Sequence, residues 1–496
     1  MIRTLKLLTC AAALGAITVA CGGGSGSPAG PNPPSGGGAT PAPPKPTPAP
    51  KPNPQPQPQP TPTPQPPSTP GKTGAIRISS DGHYFVRADG SPFFMLADTA
   101  WRMPTELTMS DVDFYLRDRA EKGFNTIQIC LVDEYYKHKN RSGQAAFIDN
   151  NSSKPNNAYF GHVEAIVRKA ASYGMTVAIM PTWGRNVAHA KDRIFSTGSA
   201  YSFGRYLGSR FADDPNVMWL TGGDWAVTDN TTRDIWRSMA KGLSDGDGGR
   251  HLITFHPRGG QSGGQYFQGE SWMDYNTIQS GYSRDSSVWD FVARERARGP
   301  AKPVFDGEPN YENVPVGIIQ KKLDGPKFDA YDVRKKAWWA VFAGAAGAAY
   351  GANEVFQFWS PGKFRVMGAH VPWQQALEFT GASQLKHLRR LMESRPYFSR
   401  IPDQSLITSS TYGSTDHIQA TRDAGGSYAM VYSASGKSFT VNLDKLSGAT
   451  VKAAWYNPRT GETSQAGQHP SAGNKSFTPP THGYGQDWVL TLDRMN

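Results

Sequence analysis

Two acidic residues of this chain stand in settings suited to paired carboxyl chemistry. Asp224 closes the stretch NVMWLTGGDW, residues 216–225, in which a short apolar run passes into Thr221-Gly222-Gly223 and then into an acid beside an indole. Glu308 lies in Asp306-Gly307-Glu308-Pro309, directly after the apolar Pro303–Phe305. Glycines at the end of a strand let the backbone turn and leave room for a ligand to approach. Two such acids can divide one reaction: one protonates a leaving oxygen, and the other attacks the anomeric carbon or activates water beside an oxocarbenium-like centre. Tryptophans recur near the ends of the same apolar runs, at Trp101, Trp183, Trp225 and Trp359. With Asp98, His256, Gln279 and Tyr282 they make up the expected sugar-binding set. Read singly, each has a plainer role. Asp224 could cap the next helix, the tryptophans could be core, and His256 could orient a carboxylate rather than touch substrate. Glu134 and Glu354 are the reserve acids.

Other chemistries lack their residues. There is no His/Cys cluster with metal-ligand spacing, no GxSxG elbow, no phosphate loop, and no GxGxxG after the first strand. No cofactor and no metal are expected. The formal charge of +11 and pI near 9.4 invite a nucleic-acid reading, but the basic residues are scattered and form no recognised motif. Of the 3 cysteines, Cys130 falls in an apolar run and reads as a small buried hydrophobe, so no disulfide framework is expected.

The elements that must position the acids follow from periodicity. Strands are expected at Phe94–Ala97, Thr126–Val132, Thr176–Met180, Asn216–Leu220, Leu252–Phe255, Tyr275–Ile278, Pro303–Phe305 and Ala345–Tyr350. Helical patterns alternate with them at Ser110–Lys122, Phe160–Tyr173, Ala200–Phe211, Thr231–Leu243, Asp332–Gly344 and Trp373–Met392. The crossover 258–274 is rich in glycine and has little room for a full helix. Strands alternating with helices in this way indicate a (β/α)8 TIM barrel over residues 74–400, an α/β fold whose chemistry sits at the carboxyl ends of the strands. The ends of its fourth and seventh strands face each other across the mouth, which places Asp224 opposite Glu308. Beyond residue 400 the helical period gives way to short strands separated by turns. Residues 401–496 are expected to form an antiparallel β-sandwich.

The first 21 residues read as a secretion leader: Arg3 and Lys6, an apolar Leu7–Val19, then Ala20-Cys21. Cys21 is the expected lipidation site of a bacterial lipoprotein, with ordinary cleavage and release as the alternative. Residues 22–73 are a Pro/Gly-rich spacer that cannot bury enough apolar surface to fold. The expected location is therefore the bacterial cell envelope, with membrane contact only through the lipid.

Several segments together carry a family resemblance: Phe94–Trp101, Trp219–Trp225, His256-Pro257, Ile278–Gly281, Asp306–Pro309 and Arg334–Gly351. They resemble the apiosidase-type glycoside hydrolases. Ala454–Gly461, Phe477–Pro480 and Asp487–Leu490 resemble the domain, labelled collagen-binding, that follows such barrels. The resemblance implies an acid/base Asp after the fourth strand and a nucleophilic Glu after the seventh, which fall on Asp224 and Glu308. It also implies release of apiose or a related sugar from a complex polysaccharide such as pectin. Tyr282 stands where many relatives carry His. A surface protein that binds carbohydrate or collagen through an inactive barrel is the alternative, and the oligomeric state is left open.

Overall fold

The computed structural model describes residues 76–134 and 137–495. The leader, Cys21 and the spacer lie outside these residues.

A hairpin of β1 (Ile76–Ile78) and β2 (Phe85–Arg87) precedes the barrel. The barrel strands are β3 (Met95–Thr99), β4 (Thr126–Cys130), β5 (Thr176–Met180), β6 (Val217–Gly222), β7 (Ile253–His256), β8 (Asn276–Ile278), β9 (Val304–Asp306) and β10 (Gly347–Tyr350). Their residues are buried throughout, as expected of parallel strands covered on both faces. Six form one parallel sheet in the order β10-β3-β4-β5-β6-β7, and β8 pairs with β9 in parallel. The ring closes where Asp274 N donates to Ile253 O (2.8 Å) and Ala346 N donates to Val304 O (2.9 Å). This is the expected TIM-like barrel.

Seven helices of two turns or more are described: α1 (Met109–Glu121), α2 (Asn157–Ser172), α3 (Thr197–Arg210), α4 (Asn230–Asp247), α5 (Val288–Arg296), α6 (Ala330–Phe342) and α7 (Thr380–Glu393). The glycine-rich crossover between β7 and β8 holds a single turn, Gly263–Phe267. Three sequence expectations need correction. The helix expected to start at Ser110 is capped by Thr108, whose hydroxyl takes the Asp111 N–H while Asp111 reaches back to Thr108 N. The run Trp373–Met392 is a turn at Trp373–Ala376 followed by α7. Helix α5 was not expected at all.

The strand that carries Asp224 is anchored at its base. Trp219 Nε1 donates to Asp247 Oδ2 at 2.9 Å, and His251 Nδ1 meets the same oxygen at 3.0 Å. The fully buried indole N–H is thus satisfied by a carboxylate at the end of α4.

The C-terminal region is antiparallel. One sheet has the order β11 (Arg400–Pro402), β12 (Ile418–Asp423), β13 (Tyr428–Ser433), β18 (Trp488–Met495), β15 (Thr450–Tyr456), β16 (Thr463–Pro470). The other pairs β14 (Phe439–Asn442) with β17 (Asn474–Phe477). Val431, Val441, Val451, Phe477 and Leu490 fill the space between them. This sandwich packs on α6, in which every residue from Tyr331 to Phe342 is buried. Trp338 stacks on Tyr432 with ring centroids 5.7 Å apart, and Arg334 grips Asp487 through two bonds of 2.9 and 2.6 Å.

Candidate active site

Asp224, His256, Gln279, Tyr282 and Glu308 converge at the mouth from the ends of β6, β7, β8 and β9. Asp224 is reached through two glycines in left-handed geometry, Gly222 (φ 94°) and Gly223 (φ 122°). A Cβ on Gly222 would stand 2.2 Å from the His256 carbonyl oxygen, and one on Gly223 2.7 Å from Gly184 N. Only glycine fits, and the backbone comes so close because Gly223 N donates to His256 O and Gly184 N to Gly223 O, both at 3.0 Å. Asp224 itself has φ 56°, an unfavourable region for a residue with a side chain. It does not cap α4; Asp229 does, accepting from Thr232 N at 2.7 Å. The tight turn therefore serves the placement of the Asp224 carboxyl.

That carboxyl is held protonated well beyond its ordinary range. Its pKa is pushed from 3.8 to about 7, first by desolvation and then by the negative charge of Glu308. His256, a hydrogen bond from Gln279, and Arg258 oppose the shift.

Glu308 is buried, with a tyrosine hydroxyl and a histidine ring against its carboxyl. Tyr282 Oη donates to Oε1 at 3.1 Å, and His256 Nε2 lies 3.3 Å from Oε2. Burial and the charge of Glu308 push the Tyr282 hydroxyl far up, so it stays a donor. His256 is fully buried, and its Nδ1 faces the Pro257 carbonyl at 3.0 Å. Its ring lies against the Glu308 carboxyl and presents no exposed surface. An acid that keeps its proton to about pH 7 and a second carboxyl beside it, itself held by the Tyr282 hydroxyl, are a pair that can divide proton transfer and nucleophilic attack.

Aromatic and apolar side chains build the wall around these groups. Trp101 lies edge-on to Trp183 (5.7 Å) and to His256 (5.6 Å), and its Nε1 donates to Tyr311 Oη at 3.0 Å. Cys130, Met180, Leu220 and Phe356 belong to the same cluster, with Trp183 and Tyr282 partly open at its edge. Cys130 is thus the buried hydrophobe expected of it. Among the described residues no group of His, Cys, Asp and Glu could hold a metal ion.

Comparison with known proteins decides the class. Residues 79–399 match the model of the apiosidase-like catalytic domain. The chain belongs to the apiosidase-like family. Residues 401–493 match a second model, labelled as the collagen-binding domain of a collagenase. A solved glycoside hydrolase is similar at 32% identity and TM-score 0.80, the match covering 85% of this chain and 97% of that one. A family 5 glycoside hydrolase from Bacteroides vulgatus is similar at 33% identity and TM-score 0.80, covering 85% and 94%. No curated protein matches. The chain is a glycoside hydrolase, and its substrate is a carbohydrate.

Within the apiosidase-like barrel, some expected site residues lie elsewhere. Asp98 is fully buried and bonded to Tyr115 Oη (2.5 Å) and Arg119 Nε (2.6 Å), both on α1. Successive residues of a strand point to opposite faces, and Asp98 points to the helix layer. It is a core ion pair, not a sugar contact. Trp359 is nearly closed off, its Nε1 donating to Lys363 O at 3.2 Å and the Arg365 guanidinium 6.0 Å from its ring. Trp225 is half-buried against His189, with centroids 5.6 Å apart. Of the reserve acids, Glu354 is buried and accepts from Asn313 Nδ2 at 2.7 Å, and Glu134 lies 3.6 Å from Arg102. Tyr311 was missed by sequence reasoning. Its signal was present in Glu308-Pro309-Asn310-Tyr311, an aromatic three residues beyond the acid in a segment that lines the mouth.

Proposed function

We propose that this glycoside hydrolase is an exo-acting, retaining enzyme that removes apiose or a related sugar from a complex polysaccharide such as pectin. Asp224 is its general acid/base and Glu308 its nucleophile. The observation that carries this reading is the raised pKa of Asp224 at the barrel mouth: its carboxyl keeps its proton to about pH 7, first through desolvation and then through Glu308 beside it.

Asp224 gives its proton to the glycosidic oxygen as Glu308 attacks the anomeric carbon, forming a glycosyl ester and releasing the rest of the polymer. Esterified Glu308 carries no charge. The Coulombic push on Asp224 then vanishes and its pKa falls, as suits a base that must take a proton from water. Water attacks the same carbon, the sugar leaves with its configuration retained, and Glu308 is restored. Tyr282 and His256 hold Glu308 in place through both steps, while Trp101 and Trp183 offer apolar faces near the sugar.

The family description supports apiose as the sugar, and the leader ending in Ala20-Cys21 supports anchoring at the bacterial surface. Asp224→Asn and Glu308→Gln should each lower kcat by about 10²–10⁴-fold. Near wild-type turnover in either variant removes that residue's role. The anomeric form of the first product, read by NMR, separates retention from inversion. Monosaccharides released from pectic and hemicellulosic polymers identify the sugar. Cys21→Ser should move the protein from the membrane fraction to the soluble one.

A further inference from the structure

The loop that carries Tyr282 is held from below by a chain of polar contacts that ends in the other domain. Lys336 of α6 is fully enclosed, and its Nζ donates to the Gly281 carbonyl at 2.6 Å. Arg284, two residues past Tyr282, grips Asp332 of α6 through Nε (3.0 Å) and Nη2 (2.8 Å). The same residues meet the sandwich. Tyr484, on the segment between β17 and β18, donates to Asp329 Oδ2 at 3.0 Å, with Asp332 Oδ2 at 3.3 Å. Its hydroxyl also accepts from Arg284 Nη2 at 3.4 Å. Three residues further on, Asp487 takes the two bonds from Arg334 of α6 and one from Tyr432 Oη at 3.1 Å. Ser414 of the sandwich donates to Asp285 Oδ1 at 3.2 Å, reaching the same loop from another side.

We propose that the C-terminal sandwich is a working part of the active site: Tyr484 and Asp487 fix α6, and α6 fixes the 281–284 loop that sets Tyr282 on Glu308. This rests on the catalytic role of Glu308 given above. Three features support it. First, Lys336 cannot easily be left without its partners, because burial pulls the ammonium down to about 8 while Asp306 opposes the shift. Second, Asp306 lies two residues before Glu308 and accepts from Ser280 Oγ at 2.5 Å, so the carboxyl ends of β8 and β9 are tied together beside Lys336. Third, Gly281 N donates to Glu308 O at 3.2 Å, so a displaced loop moves the backbone of Glu308 as well as the Tyr282 hydroxyl. Catalytic geometry is sensitive to displacements of about 1 Å. Tyr484 and Arg284 are positioning residues here, not catalytic ones.

The test uses the full chain. Tyr484→Phe keeps the ring, which packs 4.7 Å from Tyr331 by centroids, and removes only the hydroxyl. Arg284→Gln breaks the same link from the loop side. Amide hydrogen exchange over residues 280–287 should quicken about tenfold in both variants. On a substrate the wild type hydrolyses, kcat should fall about three- to tenfold with KM within about twofold. Unchanged exchange in both variants overturns the proposal, and so does quickened exchange with unchanged kcat. Exchange needs no substrate, so failure of this coupling is distinguishable from failure of the glycosidase assignment, which would show as inactivity of the wild type.

Discussion

His256 Nε2 stands 3.3 Å from Glu308 Oε2, while the other ring nitrogen faces the Pro257 carbonyl at 3.0 Å. A carbonyl oxygen only accepts, so Nδ1 is assigned the proton, and Nε2 is where a second proton would reside. The buried ring thus fixes where the Glu308 carboxyl can sit.

His256→Asn removes the group facing Glu308 while leaving Tyr282 in place. Its kcat should fall about 10²-fold, the usual cost of removing one electrostatic partner from a preorganised site. Steady-state kinetics on the identified substrate check this. A loss confined to KM would make His256 a binding residue instead.

The pH profile should report Asp224. Its pKa of about 7 lies above the ordinary 3.8, so the acid form, which the proposed mechanism needs for the leaving group, persists to neutrality. kcat/KM should fall as pH rises through about 7, roughly tenfold per unit beyond it. In Glu308→Gln the Coulombic cause is gone, and the Asp224 titration followed by carboxyl carbon NMR should move down by about one unit or more. An unmoved titration would mean that desolvation alone sets it.

The same shift bears on stability. In the folded protein Asp224 holds its proton between about pH 4 and 7, whereas the unfolded chain releases it. The folded state binds more protons in that window, so this residue's contribution falls as pH rises from about 4 to 7 and stays low above it. Asp224→Asn escapes the penalty. It should be more stable than wild type by about 1–3 kcal/mol at pH 8, and by little at pH 4, in denaturant titrations at the two values. Equal differences at both pH values would contradict the raised pKa.

Much of this was legible in sequence because the barrel strands are short apolar runs with their polar residues at one end. Thr176–Met180 coincides with β5 to the residue, and Asp224 and Glu308 lie just past the ends of β6 and β9, as the pattern implies. The glycine-rich crossover announced its missing helix. Helix α5 was hidden because Val288, Trp289 and Val292 are its only buried apolar residues, and the buried Glu295 breaks the pattern. The start of α1 lies earlier than Ser110 because Thr108 is an equally suitable cap, and the Asp111 side chain closes the box on it. Strand-end position alone does not reveal whether a side chain faces the mouth or the helices, which is why Asp98 resembled a ligand. The cue was Arg119, a cation one turn beyond Tyr115 on the apolar face of α1, which needs a buried anion.

Asp98 supplies the sharpest contrast between a sugar contact and a structural acid. Desolvation raises its pKa, and Arg119 and Tyr115 oppose that rise. Both members of the ion pair have fully buried side chains, so removing the anion leaves a cation without water or counter-charge. Asp98→Ala should cost about 3–5 kcal/mol in stability, read by denaturant titration. The fraction that remains folded should bind substrate with KM within about twofold of wild type, because the carboxyl never reaches the mouth. Little loss of stability with a large rise in KM would return Asp98 to the sugar-binding set.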